Sequence, residues 1–275
     1  MRRPAGRAPQ RVAADAVGVV KLNSGHIGAL RQQKQQEFTA EMIAFFQESD
    51  PFHADALGPD GLRVAIEVGV DLARIDGITQ RDPVRLYLQL MFILGGRFAQ
   101  DPHMPWAARI LDPDQCYRSQ AARMTALRAA AITHLERTCG KDGAPLRAYM
   151  TACLGQISRN EQVMNAAQCA DFIQTHYPLK YVFLGPAAVH DLISDSEALC
   201  AQAGLHAPVS RVYLTCLRLI YGYWATHDPL LPWIGKLFWR AEGVSDKDAV
   251  FEELTQRFLE NVAHQINQGE QNHVR

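Results

Sequence analysis

The stretch Asp101-Pro102-His103-Met104-Pro105-Trp106 recurs as Asp228-Pro229-Leu230-Leu231-Pro232-Trp233, 127 residues later. Nothing else in the chain limits its fold as strongly, because the same interval holds far upstream. It relates Leu57-Gly58-Pro59 to Leu184-Gly185-Pro186, Pro51 to Pro178, Phe45 to Phe172, Gln47 to Gln174 and Gly77 to Gly204. Between these points Arg85-Leu86-Tyr87-Leu88 is echoed by Arg211-Val212-Tyr213-Leu214 at an interval of 126. That shorter interval pairs Gly96 with Gly222, Ala99 with Ala225 and Arg97 with Tyr223. It predicts a one-residue deletion before the long helix and a compensating insertion at His227. Together the matches predict an internal tandem duplication of a unit of about 115 residues, near the usual size of a small domain. The expected boundaries are a mobile tail at 1–23, repeat 1 at 24–140, a joint at 141–151, repeat 2 at 152–268 and a C-terminal tail at 269–275.

Helical signals dominate the units. Phe38, Met42, Phe45 and Phe46 share one stripe, as do Leu62, Ile66, Val70 and Ala73 up to Gly77. Asp82 reads as an N-cap with Pro83 at the first helical position. The segment that follows, through Gly95-Gly96, is apolar nearly all round and reads as a central buried helix. The β-branched alternation of strands is scarce, so the fold class is all-α: a pseudo-symmetric helical bundle. In each Asp-Pro-x-x-Pro-Trp unit the aspartate-proline step ends a helix and the second proline starts a short one. This predicts two structural corners. Asp101 and Asp228 are expected to accept backbone N–H groups in the break, and Trp106 and Trp233 to drop their rings into the core.

Composition narrows the function classes. The formal net charge is −1 and no basic patch or tail stands out, so no nucleic-acid partner is expected. The longest apolar runs fall well short of a membrane span of about 20 residues. The N-terminus has arginines but no apolar core for a signal peptide. Six scattered cysteines, without a paired motif, fit a reducing cytoplasm. No nucleophile-elbow, zincin, phosphate-loop or zinc-deaminase pattern is present. The ten histidines show no i, i+4 pair for a metal. The chain is therefore read as non-enzymatic, with no cofactor and no metal.

The two units differ in charge. Arg63, Glu67, Asp71 and Arg74 fall on one helical face of the first unit, where the second has His190, Ser194, Ala198 and Ala201. Such a face is either solvated and salt-bridged or a polar surface kept for a partner in the first unit alone. These four residues are the candidate partner-binding set. Arg85 and Arg211, at the starts of apolar helices, read as equivalent structural ion pairs with a carboxylate of the preceding helix.

The segment 52–111 resembles a small helical protein family encoded beside bacterial type VI secretion and polymorphic-toxin effector genes. The resemblance is carried by Leu57-Gly58, Arg63, Ile66, Gly69, Ala73, Gly77-Ile78, Tyr87, Leu90-Met91-Phe92, Leu94-Gly95, Phe98, Asp101-Pro102 and Pro105-Trp106. The chain departs from the pattern at Asp76, Pro83 and Ala99. The resemblance implies a protein that binds an effector, toxin or secretion component, as immunity protein, chaperone or adaptor. An enzyme with a site in a cleft between the repeats and a structural subunit of a larger assembly are the alternative readings.

Overall fold

The computed structural model describes residues 24–115, 117, 119–159, 164–239 and 246–257. The expected tails, residues 258–268 of the second expected repeat and Cys116 lie outside the described residues. Among the described residues there is no strand, and the chain is all-α. The helices are α1 (Ser24–Ser49), α2 (Pro51–Ile75), α3 (Arg81–Leu94), α4 (Pro105–Leu111), α5 (Gln120–Cys139), α6 (Ala144–Arg159), α7 (Ala166–His176), α8 (Pro178–Leu184), α9 (Pro186–Ala203), α10 (Pro208–Tyr221), α11 (Pro232–Trp239) and α12 (247–257). The chain divides into one compact unit ending at Ala40 and another beginning at Glu41. In the first, Gln33 donates to Glu37 one helical turn on.

Local chemistry sets the element ends. Proline occupies the first turn of α2, α4, α8, α9 and α10, where its missing N–H leaves nothing unpaired. Gly58, at φ 66° and ψ 170°, breaks α2 after Leu57. Gly185, at φ 80° and ψ 156°, separates α8 from α9 at the equivalent place. Helix ends recur in the same way. Ile78 N–H donates to Ala73 O and Leu205 N–H to Cys200 O, both at 2.8 Å. The starts of α3 and α10 are capped alike: Gln120 Oε1 accepts from Thr79 and Gln80 N–H, and the Asp248 carboxylate from His206 and Ala207 N–H. Ser119 caps α5 through Ala122 N–H, and Asp246 caps α12 through Ala249 N–H.

Most of these likenesses fall at an interval of 127, with Gln120 and Asp248 at 128, and the helix ends compare at 127 where the sequence suggested 126. Helix α3 and helix α10 each have 14 residues. Gly95 (φ 101°, ψ 154°) stands opposite Gly222 (φ 98°, ψ 162°), so Gly222 does not match Gly96. No deletion or insertion is needed. The likeness of Arg85-Leu86-Tyr87-Leu88 to Arg211-Val212-Tyr213-Leu214 misleads by one residue. Arg85 faces no equivalent arginine, because its counterpart is Val212. The two ion pairs differ accordingly: Arg85 Nη1 lies 3.5 Å from Glu41 of α1 and stacks 4.9 Å over Phe45, whereas Arg211 Nη1 reaches Glu197 of α9 at 2.7 Å and Nη2 bonds Met164 O.

Three further expectations change. Asp82 is not a cap, since α3 starts at Arg81 with Gln80 preceding it. Helix α3 ends before Gly95 and is not buried all round, because Ile93 is 59% exposed. Of the expected joint, only 141–143 is non-helical; α6 begins at Ala144.

Candidate functional site

Each Asp-Pro corner reaches beyond its own turn. Asp101 Oδ1 accepts from His103 N–H (2.7 Å), as an aspartate before a tight turn does. Its other oxygen, Oδ2, accepts from Tyr223 N–H (2.8 Å), the first amide after the α10 glycine break. Asp228 mirrors this, accepting from Leu230 N–H (2.8 Å) and from Gly96 N–H (2.7 Å), just after the α3 break. The two corners are thus exchanged, each carboxylate closing the other's helix end. The fit is tight enough to require glycine: a Cβ on Gly95 would stand 2.2 Å from Tyr221 O, and one on Gly222 would stand 3.0 Å from Asp101 Oδ2. Both carboxylates are buried. Burial pushes Asp228 up to about 6, against the pull of its two N–H donors.

Beside the first corner lies a cleft of about 470 Å³, walled by His103, Pro105 and Trp106 of the corner, His134 and Arg137 of α5, and Phe183 of α8. Trp106 is half-buried here and is a wall of the cleft, which corrects the expectation of a core ring. A short Pro-started helix places it at the rim, and its indole N–H points at His134 Nδ1 (3.4 Å). Trp233 is likewise half-buried, tilted on Phe251 at 6.4 Å. His134 stands edge-on to Phe183, with centroids 5.0 Å apart. Burial, with the charge of Lys180 adding, pushes His134 down to about 3, so it is a neutral ring. His103 is lowered too, by burial, against the pull of Asp101.

Polar groups continue behind this wall. Arg218 of α10 is 1% exposed: Nε donates to Tyr223 O (2.9 Å), Nη1 to Ser196 Oγ (2.8 Å), and the guanidinium stacks 4.0 Å over the Tyr223 ring. Tyr223 OH bonds Asp195. Lys180 of α8 is buried, and burial lowers its ammonium despite Asp101 nearby. No sequence spacing announced this group. Lys180, His103, His134 and Arg218 come from separate elements and meet only in the fold.

The second feature is a groove of about 520 Å³ lined by Phe45, Phe46 and Asp50, by Gln89, Phe92 and Ile93 of α3, and by Arg128, Ile132 and Leu135 of α5. Ile93 and Ile132 are 59% and 49% exposed on it. The matching face in the second half is covered. There Tyr149 of α6 stacks on Tyr177 (4.9 Å), lies 6.0 Å from Phe172 and donates to Cys216 Sγ (3.3 Å), while Cys153 Sγ sits 3.1 Å from Cys216 Sγ. Phe172, Tyr177 and Cys216 are the counterparts, 127 residues on, of Phe45, Asp50 and Gln89.

The sequence-derived candidates stand apart from both features. Arg63, Glu67, Asp71 and Arg74 are exposed on α2. Asp71 and Arg74 pair at 3.0 Å with both side chains more than half exposed, the solvated arrangement of a salt-bridged face. Among the described residues no group of three His, Cys, Asp or Glu could hold a metal, and no helix is long and apolar enough to cross a membrane. No protein-family model, curated protein or solved structure matches the chain.

Proposed function

We propose that this chain is an internally duplicated, non-enzymatic protein-binding module, acting in the cytoplasm on an effector, toxin or secretion component of a type VI secretion system. The resemblance of segment 52–111 supplies the context, as chaperone, adaptor or immunity protein. One observation supports the binding mode: the face that α6 covers in the second half is left open in the first, among the described residues from Glu41 onward. The occupant that fits it is an amphipathic helix of the partner. It would present apolar and aromatic side chains as α6 does, set by the i, i+3, i+4 spacing of helix-in-groove recognition. Helix-end contacts that recur at an interval of 127, with capping side chains Gln120 and Asp248 at 128, support the duplication.

The test is co-expression with the product of the neighbouring effector gene, scored for complex formation, cell survival and effector level. Ile93→Asp with Ile132→Asp should abolish the complex and leave the melting temperature nearly unchanged, since both side chains already face water. A photo-crosslinker at position 93 should label a helix of that partner. Labelling of a second copy, or of residues 1–23 of the same chain, overturns the reading, as does a complex that survives both substitutions. Survival without a change in effector level assigns an immunity role, and a fall in effector level without the protein assigns a chaperone. A second reading, an enzyme acting in the cleft, has one observation in its favour, the buried Lys180 amine close to two histidines.

A further inference from the structure

The open groove and the face beneath α6 differ in chemistry at one seat. Beneath α6, the Tyr149 ring stacks on Tyr177 with centroids 4.9 Å apart, and its hydroxyl donates to Cys216 Sγ at 3.3 Å. Both neighbours have counterparts 127 residues earlier. Tyr177 precedes α8 at φ −133°, ψ 55°, and Asp50 precedes α2 at φ −145°, ψ 64°. Cys216 and Gln89 hold the same position in α10 and α3. Asp50 and Gln89 both line the groove. The seat that holds an aromatic ring in the second half is therefore bordered by a carboxylate and an amide in the first. Asp50 accepts from His53 N–H (3.2 Å) and meets His53 Nδ1 (2.8 Å), yet its side chain is 31% exposed. Those contacts use two of about four acceptor sites on a carboxylate. Burial alone would raise Asp50, but the His53 contacts outweigh it and hold the group below its ordinary value, so it is ionised at neutral pH. Gln89 makes no side-chain hydrogen bond among the described residues. Arg85, one turn before it, is paired with Glu41, and Arg128 of the groove wall is exposed. Neither arginine is among the groups that act on Asp50.

Resting on the helix-in-groove reading, we propose that the partner helix carries an arginine where α6 carries Tyr149, its guanidinium bridging the Asp50 carboxylate and the Gln89 amide oxygen, with aliphatic residues of the same face against Phe92, Ile93 and Ile132. A planar guanidinium donates to two acceptors at once, which a lysine ammonium does less well. A tyrosine at that place would cover both polar groups and offer them a single hydroxyl. The two faces thereby select different helices, one by its ring and one by its charge.

The probes are dye-labelled synthetic peptides of the α6 sequence, residues 144–159, as the parent and with Tyr149→Arg or Tyr149→Glu, titrated with the full chain by fluorescence anisotropy. The Tyr149→Arg peptide should bind at least about tenfold more tightly than the parent, as a charge-assisted hydrogen bond at a part-buried seat provides. The Tyr149→Glu peptide should bind most weakly. Asp50→Asn in the protein keeps a side-chain cap on α2 and should bring the parent and Tyr149→Arg peptides within about twofold of each other. If that variant fails to fold, Gln89→Leu carries the test and should cut the preference several-fold. Ile93→Asp with Ile132→Asp should abolish binding of every peptide, which places them in the groove and not at a displaced α6. Parent and Tyr149→Arg peptides that bind equally, and are both lost in the double aspartate variant, overturn the arginine and leave the helix-in-groove reading standing. A preference that persists unchanged in folded Asp50→Asn or Gln89→Leu protein also overturns it, as does binding that survives the double variant. No saturation by any peptide at millimolar concentration overturns the arginine and the helix-in-groove reading together.

Discussion

Asp101 and Asp228 hold amides on both sides of the 127-residue interval, so the cost of losing one is that of a stranded buried donor. Asp101→Ala leaves Tyr223 N–H without its acceptor and should destabilise by about 2–4 kcal/mol in urea unfolding. A loss below about 0.5 kcal/mol would show that the exchanged bond contributes little. His134 gives the pH signature. Its folded value, about 3, lies below the ordinary 6.5, so the unfolded chain binds the extra proton between those limits. Stability from this group is complete above pH 6.5 and is lost as pH falls toward 3, by on the order of a few kcal/mol. Asp228 has the opposite sign, since its raised value makes the folded state the better proton binder between 3.8 and about 6. His134→Gln should therefore flatten the acid-side loss of stability between pH 6.5 and 4. An unaltered slope would mean that His134 is not held neutral.

At the scale of elements, the helix breaks at Gly58 and Gly185 have backbone angles that only glycine adopts readily, and a Cβ there would touch nothing. Alanine at either site should cost about 1–3 kcal/mol from backbone strain alone. Gly155→Ala, inside α6 and without a positive φ, should instead stabilise by roughly 0.5–1 kcal/mol. Urea midpoints for the three variants check the signs. These breaks were legible in the sequence because Leu-Gly-Pro and Asp-Pro carry their geometry in the residues themselves. The register of α3 against α10 was not. Arg-x-Tyr-Leu recurs one residue out of step, and only the glycine ends of the helices, Gly95 and Gly222, show the true alignment. The open face of α3 was hidden for a related reason. Ile93 and Ile132 look like core residues, and their exposure depends on whether another helix covers them. The cleft left no pattern at all, because His103, His134 and Phe183 sit in three parts of the chain far apart in sequence. Trp106 was placed in the core on size alone, whereas a seven-residue helix leaves it at the rim.

For the molecule from Glu41 onward, the exchanged carboxylates join parts of the chain far apart in sequence: Asp228 to Gly96 and Asp101 to Tyr223. If one half opened alone, both bonds would break and strand buried amides, so the halves should open together. Native-state hydrogen exchange reads this directly, because amides released by one cooperative opening share one free energy. Gly96 and Tyr223 N–H should exchange with matching protection in the wild type. Asp101→Ala removes the Tyr223 bond by construction. The informative amide is Gly96, whose acceptor, Asp228, is untouched. Its protection should fall by the same free energy as global stability, about 2–4 kcal/mol. Trp224 Nε1, which donates to Gln100 O across the same boundary at 3.0 Å, should follow it. If Gly96 keeps wild-type protection while Tyr223 loses its own, the halves open independently. The segments on either side of the exchanged carboxylates would then be separately cooperative helical units.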